Sequence, residues 1–214
     1  MNQPPSTIVK QLRALMPMRP LSLSDAYALA ELQASKTVGL LGVQQFQAVG
    51  LDWITHLPRL RVVPRPRHEM PNLSGFTQWE NGAYLVVINR SDGRTRRRFT
   101  LAHEIGHLCM HEDEIRRAVH VDKRFVESML RRDSRSSRGT DEKEIEANQF
   151  AAALLMPAPT LLDELERTEL DVEDERALDE LARCFKVSKA TLQYRIRNLA
   201  EERFRRHHVA SIAG

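Results

Sequence analysis

Phe99-Thr100-Leu101-Ala102-His103-Glu104-Ile105-Gly106-His107-Leu108 spells H-E-x-x-H at its centre, inside an apolar run. On a helix, residues four apart lie on one face, so His103 and His107 can hold one metal ion while Glu104 points toward water bound on it. Zinc held by three protein ligands keeps a fourth position for water and lowers its pKa to about 7, and Glu104 would take the proton. The plain alternative is two polar histidines on an ordinary helix. Leu101, Ala102, Ile105 and Leu108 supply an apolar face at helical spacing, and Arg98-Phe99-Thr100 offers an entry with Thr100 as N-cap and Glu104 in the first turn.

Upstream of the motif, residues 60–63 read as a strand bounded by Pro58 and Pro64. Residues 74–77 and 82–89 read as two more, joined through Glu80-Asn81-Gly82, where Asn-Gly is a strong hairpin signal. A small sheet therefore precedes the motif helix. Extended peptides bind by adding a strand to a sheet edge, so residues 84–89 are either such an edge or, as their continuous apolar run equally allows, an internal core strand. Further back, residues 6–16 read as a short helix stopped by Pro17 and Pro20. A second helix starts at Ser22-Leu23-Ser24-Asp25 and runs through Leu41 toward Val49, with Gly39 or Gly42 as a possible break. Its alanine-rich face is expected to pack against the motif helix.

Downstream, His111 lies four residues past His107 on the same face, open to roles as an extra ligand, an oxyanion donor or an ordinary helix-end histidine. His120 is no stronger a candidate for such a role. Residues 133–140 are a polar Ser/Arg/Gly-rich loop, and residues 141–157 form a helix with an acidic start, an Ala/Leu body and a proline stop. Two histidines and one carboxylate are a familiar catalytic zinc set, so the third ligand is expected among the acidic residues of this helix.

The 214 residues suit one domain with an appendage or two small ones, and 42% hydrophobic content allows a proper core. Net charge is only +3, although arginines cluster over 90–98, 131–138 and 195–206. No apolar stretch approaches the ~18 residues of a bilayer span, and the polar start of the chain lacks the pattern of a signal peptide, so a cytoplasmic protein with no membrane association is expected. Cys109 and Cys184 form no C-x-x-C and are expected to be reduced, buried and small apolar in character.

Arg-Phe-Thr-Leu-Ala-His-Glu-Ile-Gly-His over 98–107, followed by Glu-Ile-Glu-Ala-Asn-Gln-Phe-Ala-Ala-Ala-Leu-Leu-Met-Pro over 144–157, resembles the paired signature of the ImmA/IrrE metallopeptidases. Gly75-Phe76-Thr77 and Val87-Ile88-Asn89 match the usual lead-in, so the resemblance covers 74–157. It implies an α+β, zincin-like (minimal gluzincin) fold and a zinc endopeptidase, with manganese as the other metal to consider. The implied substrate is a helix-turn-helix repressor whose cleavage relieves repression of stress-response or mobile-element genes. Carried onto this chain, the resemblance gives His103 and His107 as metal ligands, Glu104 as general base, and Glu144 as third ligand ahead of Glu146. Asn148 stands where related zinc peptidases carry an aspartate, on the same face as Glu144, placed to hydrogen-bond a group behind the ligands.

After Pro157-Ala158-Pro159 come Leu161, Leu162 and Leu165, an acidic linker over 166–175, and a helix pair over 177–200 with the layout of a helix-turn-helix. A metallopeptidase domain over 1–160 and a small all-α, helix-turn-helix-like segment over 161–214 are expected. Arg195, Arg197, Arg203, Arg205 and Arg206 are placed to meet phosphates, with Lys189, Thr191, Gln193 and Arg197 near a groove, whereas the acidic 166–180 stretch would repel DNA. Weak DNA binding is thus open. The reading from another class is a DNA-binding transcriptional regulator whose zinc site is structural or vestigial. Glu104 favours the enzyme, since a structural site needs no base and tends to use four protein ligands.

Overall fold

A computed structural model of the chain describes Lys10 and residues 23–41, 48–71, 73–118, 137–168 and 174–212. In chain order its elements are α1 (Leu23–Leu41), β1 (Leu60–Arg65), β2 (Gly75–Glu80), β3 (Ala83–Asn89), α2 (Arg94–Met110), α3 (Glu112–Ala118), α4 (Ser137–Leu155), α5 (Ala158–Arg167), α6 (Glu175–Phe185) and α7 (Lys189–Ile212), with short 3-10 turns at Asp52–His56 and Arg67–Glu69. The class is mixed α+β, mostly helical with a three-stranded sheet. Apart from Lys10, the helix expected over 6–16 lies outside the described residues, as does His120. The expected loop over 133–140 lies outside them as far as 136, and from Ser137 onward the chain is already α4.

Asn81 and Gly82 both adopt positive φ, 51° and 78°, the two left-handed conformations that a two-residue hairpin turn needs. β2 and β3 accordingly pair antiparallel, with Glu80 opposite Ala83 and Gly75 opposite Ile88. β1 joins the other side of β3 in parallel, so the order is β1-β3-β2 and the apolar run 84–89 is the internal strand. Val86, Val87 and Ile88 are all buried although successive side chains point to opposite faces, which means that both faces of β3 are covered. Pro64 does not bound β1 but sits inside it, opposite Ile88. An edge strand tolerates proline because its missing N–H falls on the unpaired side.

The helical layer is organised around α4, against which α1, α2 and α7 pack. Every residue from Phe150 to Met156 is buried, so the second half of α4 is enclosed all round rather than amphipathic. This corrects the expectation that α1 packs on the motif helix: its buried Ala30 and Ala34 face the helix pair chiefly through α4. The apolar second half of α4 has surface to cover beyond what α2 takes, and the small residues of α1 pack there. Leu178, Leu181, Phe185, Val187 and Leu192 of the C-terminal helices belong to the same contiguous core. Arg195 on α7 is wholly buried, paired with Glu31 of α1 and donating from Nε to the Met156 carbonyl at 3.1 Å. It is therefore not a phosphate contact, because its charge is already committed inside the core. Cys109 is buried as expected, whereas Cys184 is exposed on the outer face of α6. Among the described residues no helix is long and apolar enough to cross a membrane.

Candidate metal centre

The motif helix starts earlier than its apolar pattern indicates. α2 begins at Arg94 after Gly93, which leaves Thr100 buried in mid-helix and Glu104 well past the first turn. Thr100 does not cap; its Cγ2 would lie 2.5 Å from a Cβ on Gly75, so it fills the space where β2 crosses the helix. The arginine-rich first turn opposes the positive end of the helix dipole. Asp92 offsets this, with its carboxylate 3.3 Å from Arg96 and also paired with Arg67. Asn89, wholly buried, closes the strand-to-helix connection by donating to the Leu73 carbonyl and accepting from the Ser91 N–H.

One helical turn apart on α2, His103 and His107 bring their Nε2 atoms to 3.0 Å from each other. Glu144 of α4 places Oε2 3.2 Å from the His103 Nε2 and Oε1 3.2 Å from the His107 Nε2. Glu146, two residues on, points elsewhere, to His111. Gly106 permits the close approach that brings Glu144 in: a Cβ there would meet Ala147 Cα at 3.2 Å and the Phe150 ring at 3.1 Å. A tetrahedral ion with bonds of about 2.0–2.1 Å spaces neighbouring donors about 3.3 Å apart, so two imidazole nitrogens and a carboxylate oxygen at these distances fit a zinc-sized cation. All three side chains offer a donor atom within 4.8 Å of the others.

These groups also interact with one another. Burial works against the charged form of His103, but hydrogen bonding to Glu144, the charges of Glu104 and Glu144 and the contact with Asn148 together raise its pKa. For Glu144 burial favours the neutral acid, yet hydrogen bonds from His103 and His107 and their charges hold the carboxyl far below the usual range. The site thus sets a carboxylate against two imidazoles, a donor set that suits a divalent cation.

Glu104 is buried on the side of α2 that faces the sheet and accepts a hydrogen bond from Thr77 Oγ1 on β2 at 2.8 Å. Behind the imidazoles, Asn148 Oδ1 lies 2.9 Å from His103 Nδ1, and His111 Nδ1 lies 3.0 Å from His107 Nδ1. His103, His107 and Glu144 thus lie together, and Asn148 lies beside His103. The roles of Thr77 and Gly106 and the contact of Glu146 with His111 are not legible locally, because each is defined by a partner on another element.

The model of the IrrE N-terminal-like domain, Peptidase M78, matches residues 61–197, well over half of the chain. The chain belongs to the ImmA/IrrE family of metallopeptidases. Within this family it is 32% identical over 124 residues to the radiation response metalloprotease IrrE of Deinococcus radiodurans, an alignment covering 54% of this chain and 33% of that protein. It is 26% identical over 115 residues to an uncharacterized immunity region protein 2 of Bacillus phage phi105, covering 54% of this chain and 63% of the phage protein. Each alignment therefore spans less than two thirds of the relative. A solved Mycobacterium tuberculosis transcriptional regulator superposes with TM-score 0.49 at 20% identity, over 88% of this chain and 50% of that one.

Proposed function

We propose that this ImmA/IrrE-family chain is a zinc-dependent endopeptidase, with His103, His107 and Glu144 as the metal ligands and Glu104 as the general base. The observation that carries the reading is the meeting of two Nε2 atoms and one carboxylate beside a buried glutamate on the same helix. A divalent cation in such a set supplies Lewis-acid polarisation of a peptide carbonyl and acidifies water; zinc suits the nitrogen-rich donors, and manganese is the other metal to test. Glu104 takes the proton from the attacking water and delivers it to the departing amine, and Thr77 holds its carboxylate in line. His103 and His107 would hold the cation through Nε2, because their Nδ1 atoms are engaged behind them.

The proposed fold name is zincin-like for 1–160, with 161–214 as a helix-turn-helix-like segment sharing its core, and the proposed setting is cytoplasmic. The proposed substrate is a helix-turn-helix repressor, by analogy with the family, and its cleavage would relieve repression of stress-response or mobile-element genes. The DNA-binding alternative loses two of the side chains it names. Arg195 is committed to Glu31, and Lys189 pairs with Glu175 and with Asp179 at 3.4 Å. The test is incubation with the helix-turn-helix repressor encoded nearest to this chain, with and without chelator. Cleavage that the chelator stops is the expected result, and no cleavage of any neighbouring repressor would favour the regulator.

A further inference from the structure

We infer that His111 and Glu146 form a positioning relay that fixes the tautomer and orientation of His107 for metal binding, an inference that rests on the metal reading above. A neutral imidazole that offers Nε2 to a cation carries its proton on Nδ1 and needs an acceptor there. For His103 that acceptor is Asn148 Oδ1. For His107 the group at Nδ1 is another imidazole nitrogen, His111 Nδ1 at 3.0 Å. Two ring nitrogens bond only when one of them carries a hydrogen. If His107 holds its proton on Nδ1, His111 Nδ1 must be bare, and the His111 proton must sit on Nε2.

Glu146 makes that choice. Its Oε2 lies 2.7 Å from His111 Nε2, where a carboxylate can only accept. A bare Nε2 at that distance would set two acceptors against each other. With a single proton on the His111 ring, the hydrogen bonds therefore run in one direction, from His107 Nδ1 to His111 Nδ1 and from His111 Nε2 to Glu146. Both nitrogens of His111 are used in this chain, which leaves none for a fourth protein ligand or for an oxyanion.

The surroundings keep the relay dry and in register. The side chains of His111 and Glu146 are 8% and 14% exposed, so water is a poor substitute for either. The His111 backbone caps α2, its N–H donating to the His107 carbonyl at 2.7 Å. The next residue, Glu112, accepts from Tyr84 Oη and, at 2.9 Å, from Arg116, which ties the start of α3 to the sheet. Glu146 sits two residues from Glu144 on α4, so one helix supplies a carboxylate to the metal face and a second to the group behind it.

The experiment is a zinc titration in competition with a chromophoric chelator, run on the full chain, on His111→Ala, Glu146→Ala, Glu146→Gln and the double alanine variant. Nitrogen-15 NMR of the histidine rings in zinc-loaded wild type accompanies it. Each single alanine variant is expected to weaken zinc by about 10–100-fold, and the double variant to lose no more than His111→Ala, because Glu146 acts through His111. Glu146→Gln, which keeps an acceptor oxygen, is expected to recover most of the loss. The NMR spectrum, which needs no variant to fold, is expected to show His107 protonated on Nδ1 and His111 on Nε2. His111 protonated on Nδ1, single variants that bind zinc as wild type does, or losses that multiply in the double variant would each overturn the relay while leaving the metal site standing. A wild type that binds no zinc would overturn both.

Discussion

Gly106 of α2 lies against the backbone of Ala147 of α4, with little room for a side chain: a Cβ would lie 3.2 Å from both the Cα and the carbonyl oxygen of Ala147. The contact sets the spacing between the helix that carries two imidazoles and the helix that carries Glu144. Gly106→Val should therefore act on stability and on metal together. Overpacking of this kind costs about 1–3 kcal/mol. A fall in urea midpoint with weakened zinc binding is expected, and a variant as stable and as zinc-avid as wild type would show that the crossing has slack.

Glu144 and Glu146 should separate cleanly in metal analysis. Glu144→Ala removes a donor that touches both Nε2 atoms and should abolish stoichiometric zinc binding. Glu146→Ala keeps all three donors and should bind zinc more weakly but still one ion per chain. Equilibrium dialysis with metal quantification distinguishes them, and the reverse order would reassign the ligand.

Thr77→Val replaces the hydroxyl that holds Glu104 with a methyl of the same shape. A hydrogen bond to a charged group contributes about 1.5–3 kcal/mol. If about 1.4 kcal/mol of it is felt in the transition state, kcat falls about tenfold. Zinc content should not change, since Thr77 reaches only Glu104 in this site. Peptide hydrolysis at saturating substrate, measured alongside zinc content, checks both halves.

The Glu31–Arg195 pair should hold the C-terminal helices to the rest. Arg195 is wholly buried and Glu31 only 19% exposed, so removing one partner leaves a stranded charge, at a cost of about 3–5 kcal/mol. Arg195→Met alone should lower the urea midpoint sharply. Pairing it with Glu31→Leu should restore much of the loss, because no charge is then left unpaired. If the single variant is neutral, the pair is not a brace.

Much of the site was legible because its signals are local. Asn81-Gly82 prescribes its own hairpin, His103 and His107 share a face by helical spacing alone, and Glu144 and Asn148 follow from the second half of the motif pair. The errors fall where structure depends on distant partners. The start of α2 was hidden because residues 94–98 are nearly all arginine and show no apolar period, while the anchor is Asp92, outside the helix. Thr100 looks like a cap until Gly75 is seen pressed against it. Pro64 reads as a strand boundary unless β1 is known to be an edge. Arg195 reads as a phosphate contact within its own helix, and only Glu31, 164 residues away, explains why it is buried. His111 was visible by spacing, but its use depends on Glu146.

If Glu104 is the base of a metal-dependent peptidase, Glu104→Gln should separate metal binding from hydrolysis. Glutamine keeps the size and the contact with Thr77 but cannot take a proton. Zinc stoichiometry and repressor cleavage should be measured on the same preparation: a full complement of zinc with cleavage reduced by at least about 100-fold is the result expected of a lost general base. A zinc-loaded Glu104→Gln protein that cuts as fast as wild type would show that Glu104 is not the base.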